Sequence, residues 1–96
     1  MKVIIKPSDI ATKKYTAIFY DDNGNKIETT HFGFKGMSDY TQHKNENRKL
    51  NYIARHRARE NWSNPRTAGA LSRWILWNKP SLSASIADYK KKFNLS

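Results

Sequence analysis

The chain of 96 residues contains no cysteine, which excludes disulfide bonds, thiolate chemistry and zinc sites built from cysteine. It also lacks any run of about 18 apolar residues, the length that a membrane-spanning helix requires. No apolar segment that could serve as a signal peptide follows the start. We therefore expect a protein that is not secreted and has no membrane partner.

Motifs that indicate a reaction are missing as well. The sequence has no Gly-rich phosphate loop, no nucleophile elbow and no kinase-like set. His31, His43 and His56 show none of the HxxxH or HExxH spacings of a metal site, and the last two would lie about 20 Å apart on one helix. Asp21 and Asp22 are adjacent within a turn, where carboxylates serve turn geometry. We expect no enzyme, no cofactor and no metal site.

Acidic residues are scarce, with 8 Asp and Glu against 18 Lys and Arg, a net charge of +10. Residues 1–43 hold six basic and five acidic residues, whereas residues 44–96 hold twelve basic and three acidic. A charge imbalance confined to one half favours a polyanionic partner, the alternative being a merely solvated surface.

Residues 1–36 carry the pattern of β-strands. Lys2–Lys6, Lys14–Tyr20 and Lys26–Phe34 are rich in β-branched and aromatic residues. An Asn-Gly pair at residues 23–24 separates the last two segments, and this pair is a strong signal for a tight hairpin. The sequence predicts a small antiparallel sheet at the N-terminus, with both faces partly covered.

Residues 37–96 carry helical patterns, so the predicted fold is a single α+β domain with three helices packed on the sheet. Caps and breakers set the boundaries of the helices. The first helix is predicted from Ser38 or Asp39 to about Glu60 or Trp62, the second from the Thr67 cap through Ala68–Trp77, and the third after the Ser81 cap. Their predicted buried residues are Leu50 and Ile53 in the first helix, Leu71, Trp74 and Ile75 in the second, and Leu82, Ile86, Tyr89 and Phe93 in the third.

The strongest functional signal is residues 44–59, KNENRKLNYIARHRAR, which has six cations and one acid. At about 100° per residue, one side of a helix here carries a row of cations around a tyrosine. Such a row suits a phosphate backbone, and the tyrosine could stack on a base or pack on a sugar. The alternatives are an acidic protein partner and plain solvation. With a second patch near the C-terminus, the predicted nucleic-acid-binding residues are Lys44, Arg48, Tyr52, Arg55, Arg59, Lys90, Lys91 and Lys92.

Arg57 projects to the apolar side of the same predicted helix. A buried guanidinium needs a partner, so we predict an ion pair or hydrogen bonds to loop carbonyls. The alternative is a ligand-binding arginine in a cleft, which together with a histidine could form an enzyme site. Trp62, Trp74 and Trp77 are predicted to lie in the core, with an exposed contact site as the alternative for Trp77.

Two segments and the closing Phe93 resemble a family of small, basic, uncharacterised proteins of large double-stranded DNA viruses of algae and protists. The segments are YTAIFYDDNGNKIETTHFGFKGMSDYTQHKN (Tyr15–Asn45) and YIARHRARENWSNPRTAGALSRWILWNKPSL (Tyr52–Leu82). The resemblance implies no catalytic residues. It implies a setting in a virion or in the host cytoplasm or nucleus, with DNA favoured over RNA as the nucleic acid.

Charge and resemblance together predict a non-enzymatic, virion-associated protein that binds nucleic acid phosphates without sequence specificity. The alternative is a minor capsid or scaffold protein whose cations contact acidic surfaces of other virion subunits. The sequence carries no signal for an oligomeric state.

Overall fold

The computed structural model describes all 96 residues and shows a three-stranded antiparallel sheet followed by helices. The strands, in the order β1-β2-β3, are β1 (Lys2–Pro7), β2 (Lys13–Tyr20) and β3 (Lys26–Phe34). The helices are α1 (Tyr40–His43), α2 (Glu46–His56), α3 (Ala68–Leu71), which continues into a π-helical turn (Ser72–Leu76), and α4 (Leu82–Lys92). The predicted α+β class is confirmed, with four helices in place of three. None of these helices is long and apolar enough to cross a membrane.

The β2–β3 hairpin forms at the predicted Asn-Gly pair. Gly24 adopts a φ of 84°, and the Asp21 carboxylate accepts hydrogen bonds from the N–H groups of Asn23 and Asn25, both at 2.9 Å. Gly33 also has a positive φ, 78°, and a Cβ at this position would lie 2.9 Å from a methyl group of Leu76. Glycine therefore fixes both the turn and a close approach of the sheet to the helices.

The register of the strands gives the sheet two different faces. Val3, Ala17, Phe19 and Phe32 are fully buried and point towards the helices. The outer face carries Ile4, Ile18 and Thr29 at its centre and three lysines around them, Lys2, Lys6 and Lys26. The core residues of the sheet all lie on the inner face. On the outer face Thr16 is buried, whereas Ile4 and Thr29 are exposed, so this face is covered only in part.

Helix α3, the π-helical turn and α4 complete the core. The stripe predicted for α4 is confirmed: Tyr89 is fully buried, while Leu82, Ile86 and Phe93 pack around the core. Burial raises the pKa of Tyr89, whose hydroxyl donates to the Pro65 carbonyl at 2.6 Å. The buried helical residues that meet the inner face of the sheet are Ala70, Leu71, Ile75, Leu76 and Tyr89.

The second predicted helix forms after its Thr67 cap, but its last turn is π-helical. The Trp77 N–H donates to the Ser72 carbonyl at 3.0 Å, five residues earlier. The wider turn buries Leu76 next to Ile75. Trp74, which we predicted on the buried side, is therefore only half-buried at the edge of the core.

The long first helix predicted from the sequence is wrong, because the chain breaks into α1 and α2. Asp39 does cap α1, in a capping box with Gln42. Lys44 then adopts a left-handed conformation, φ 55°, and Asn45 caps α2 by accepting from the Arg48 N–H at 3.1 Å. Asparagine competes for backbone hydrogen bonds in this way, which is why it starts a new helix here.

Candidate nucleic-acid interface

The buried side of α2 differs from the predicted one. Tyr52 is only 7% exposed, whereas Leu50 is 54% exposed and Ile53 is half-buried. The prediction that Leu50 is buried and Tyr52 lies outward is therefore wrong. The reason is that Tyr52 finds an aromatic partner in the tertiary structure, and a tyrosine ring buries more apolar surface than a leucine.

Aromatic rings attach α2 to the π-helical turn. Tyr52 stacks on Trp77 with 4.4 Å between ring centroids and 4° between planes, and on His56 at 4.3 Å. His43 contacts Trp77 at 5.3 Å, so the two histidines predicted to lie far apart on one helix are connected through this stack. Burial raises the pKa of Tyr52. Because its ring is used inside the protein, Tyr52 is not available to stack on a base.

His43 adds no positive charge to this region. Its Nδ1 accepts from the Asn45 N–H at 2.9 Å, which leaves the proton of the neutral ring on Nε2. Burial, with a further contribution from the nearby Arg48 guanidinium, lowers the pKa of His43. His43 is therefore not counted among the cations of this surface.

Four exposed arginines remain on α2 and the turn that follows it: Arg48, Arg55, Arg57 and Arg59, here called the arginine cluster. None of the four forms a salt bridge. Arg48 donates to the Ser38 hydroxyl at 3.1 Å, and the exposed Lys44, between α1 and α2, donates to the Thr41 carbonyl. The single helical row predicted from Lys44 to Arg59 is therefore wrong, since Lys44 precedes α2 and Arg59 follows it.

Arg57 lies at the C-terminal cap of α2 and is exposed, so its predicted burial is wrong. It follows Leu50 by seven residues and therefore shares its side of the helix. That side faces solvent, because Tyr52 rather than Leu50 directs α2 to the core. Arg57 consequently belongs with the cations of the surface.

The arginine that is embedded among aromatic rings is Arg73, which the sequence analysis did not single out. Its guanidinium lies 4.2 Å from the Trp74 ring and 5.5 Å from the Trp62 ring, and donates to the Trp77 carbonyl at 2.9 Å. Burial lowers its pKa. The position of Arg73 next to Trp74 and four residues before Trp77 was the available signal, since guanidinium groups stack on indole rings.

The predicted second patch at the end of α4 is only partly free. Lys92 places its Nζ 4.2 Å from the Trp74 ring, and Lys90 is half-buried. Lys91 is exposed. All three tryptophans are half-buried, but only Trp74 and Trp77 pack against the core. Trp62 donates to Glu60 at 2.8 Å. The end of α4 thus offers fewer unpartnered cations than the arginine cluster.

A groove of about 350 Å³ is lined by the end of the sheet and by Arg55, the one member of the arginine cluster that reaches it. We call it the sheet–helix groove. Two side chains at its border are exposed to an unusual degree for apolar residues, Phe34 at 56% and Met37 at 66%. Lys13 places its Nζ 4.1 Å from the centre of the Phe34 ring. The groove is lined, among others, by Lys13, Phe34, Met37, Arg55, His56 and Trp77.

The loop beside this groove is held by a buried ion pair. Lys14 Nζ donates to Asp39 Oδ2 at 2.5 Å and to Gln42 Oε1 at 2.8 Å, and both charged side chains are almost fully buried. Asp39 also accepts from the Thr41 N–H at 2.9 Å. These bonds fix the path of the chain from the end of β3 to α1. No three His, Asp or Glu side chains come together as a metal site.

A family model matches residues 3–56, which span the sheet from Val3 onward together with α1 and α2, and describes only a family of unknown function, DUF5754. The matched region contains Phe34, Met37, Arg48 and Arg55. No curated protein matches the chain, and no solved structure matches it either.

Proposed function

The chain belongs to DUF5754, a family of unknown function, and we propose that it binds the phosphate backbone of nucleic acid without sequence specificity. The observation that supports this function is the arginine cluster, four exposed guanidinium groups with no carboxylate partner. Guanidinium groups match the geometry of phosphate oxygens with paired hydrogen bonds. The proposal is a binding function and includes no reaction.

The acids closest in sequence do not neutralise the cluster. Glu46 accepts from the Tyr40 hydroxyl at 2.6 Å at the start of α2. Glu60 accepts from the Trp62 indole at 2.8 Å and pairs with His56 at 3.3 Å. Neither carboxylate forms a salt bridge with the four arginines, so the cluster presents unpaired guanidinium groups to solvent. Each arginine that meets a phosphate would release condensed counterions, which is the main source of sequence-independent affinity.

The test is the salt dependence of binding to a mixed-sequence DNA duplex, followed by fluorescence anisotropy. We expect affinity to fall steeply with salt, and the triple variant Arg48→Glu, Arg57→Glu, Arg59→Glu to bind weakly. For every arginine that contacts a phosphate, the slope of log K against log salt should become smaller by about 0.9. Because these side chains are exposed, the circular dichroism spectrum should be unchanged.

A matched control separates a defined interface from attraction by net charge. The control is the triple variant Lys2→Glu, Lys6→Glu, Lys26→Glu, which changes the net charge by the same amount on the outer face of the sheet. This variant should keep most of the affinity for DNA and most of the slope of log K against log salt. Equal losses in both triple variants, or no binding by the wild type at low salt, would contradict the proposal. So would displacement of the DNA by polyglutamate at equal charge concentration, which would instead favour an acidic protein partner.

A further inference from the structure

The sheet–helix groove combines exposed apolar surface with positive charge. Phe34 and Met37 are more than half exposed although both are large and apolar. They lie at the end of β3 and in the turn after it, where the Met37 N–H donates to the Phe34 carbonyl at 3.3 Å. Large apolar side chains gathered at a concave surface are typical of a binding site.

The groove is lined by three cationic side chains, Lys13, Lys14 and Arg55, and by two carboxylates, Asp39 and Glu60. Of its two acids, Asp39 is bound by Lys14 and caps α1, and Glu60 is bound by Trp62 and His56. Lys13, whose Nζ lies over one face of the Phe34 ring, and Arg55 have no carboxylate partner. An apolar peptide segment would cover the rings and leave both cations unpaired. A ligand with a flat apolar surface and a negative charge would cover the apolar side chains and also pair with the two cations.

The surface around Phe34 is fixed before any ligand arrives. Phe34 pairs with Lys13 across the β2–β3 ladder, and the Lys35 N–H donates to the Thr12 carbonyl at 3.0 Å. The buried pair of Lys14 and Asp39 holds the following loop. A preorganised aromatic surface loses little conformational entropy on binding, which favours stacking.

We propose that the sheet–helix groove binds an unpaired nucleobase, stacked on Phe34, with the adjoining phosphates on Lys13 and Arg55. The preferred ligand is then single-stranded nucleic acid. This inference rests on the proposed function and narrows its ligand class. Bases of an intact duplex are paired and stacked, so only a single strand can present one to Phe34, and every base offers the flat surface that stacking requires.

The test compares three ligands of equal length: oligothymidylate, the same strand with abasic sites in place of thymidines, and a duplex. We expect the wild type to bind oligothymidylate most tightly. Phe34→Ala should weaken only that complex, by about 5-fold to about 100-fold, the loss that corresponds to one stacked base. Phe34→Trp should keep the affinity. The matched control is Leu50→Ala, an equally exposed apolar residue on α2 outside the groove, which should change none of the three affinities.

The abasic strand and the duplex can bind through their phosphates alone. They therefore test the phosphate interface separately from the base site in the groove. If these ligands bind in a salt-dependent way but oligothymidylate is no tighter, or Phe34→Ala weakens all three equally, the groove does not bind a base and the phosphate interface stands. If none of the three binds the wild type at low salt, the proposed function is wrong and the groove assignment with it.

Discussion

At the scale of single residues, Tyr52 decides how α2 lies on the protein. It is seated between Trp77 and His56, with ring distances of 4.4 and 4.3 Å. Leu50, two residues earlier on the helix, contributes little to the core because more than half of it is exposed. Leu50 and Arg57 face solvent as a consequence of this choice. Arg48 and Arg55, four residues before and three residues after Tyr52, share its side of the helix and are exposed at its border. Tyr52 therefore orients α2 without belonging to the candidate interface.

The burial of Tyr52 and the exposure of Leu50 predict losses of stability of very different size for two truncations on the same helix. Tyr52→Ala should lower the free energy of unfolding by about 3–5 kcal/mol, as expected for removal of a buried aromatic side chain. Leu50→Ala should change it by no more than about 0.5 kcal/mol, since surface substitutions have small effects. Urea denaturation of both variants measures the difference. A larger loss for Leu50→Ala would mean that α2 packs on its other side, as the sequence pattern alone indicated.

At the scale of elements, the sequence predicts what depends on local patterns and misses what depends on distant partners. The hairpin at residues 23–24 and the apolar stripe of α4 are local, and both are confirmed. The break between α1 and α2 has a local signal too, the cap at Asn45, but a continuous helical projection over residues 44–59 passes through it. The burial of Tyr52 has no local signal, because Trp77 lies 25 residues further along the chain and becomes its neighbour only after folding.

The ion pair in the loop between β3 and α1 predicts a second difference in stability between variants. In Asp39→Ala, helix α1 loses its cap and Lys14 is left as an unpaired, buried charge, so we expect destabilisation of about 3–5 kcal/mol. Adding Lys14→Met should recover part of this loss, because the double variant removes the unpaired charge. Asn45→Ala, at the exposed cap of α2, should cost about 1 kcal/mol. Thermal or urea unfolding of the four proteins gives the comparison, and a double variant no more stable than Asp39→Ala would refute the ion-pair explanation.

At the scale of the whole molecule, positive charge is poorly compensated. Of the 18 lysines and arginines, only Lys14 and Arg66 form salt bridges, and the net charge is +10 on a protein whose longest dimension is 42 Å. Like charges at this density repel each other and lower the stability of the folded state. A polyanion that covers the arginine cluster would remove part of this repulsion, so the same charges that weaken the free protein favour the complex.

Salt should therefore act in opposite directions on folding and on binding. Raising ionic strength from about 0.01 M to about 0.1 M shortens the screening length from about 30 Å to about 10 Å, so that repulsion across the molecule is lost and only neighbouring charges interact. We expect the melting temperature of the free protein to rise over this range while its affinity for nucleic acid falls. The variant with Arg48, Arg57 and Arg59 changed to Glu has a net charge lower by six units, and its melting temperature should depend less on salt. Circular dichroism melts of both proteins test this, and a wild-type melting temperature that falls with salt would show that attraction between surface charges outweighs their repulsion.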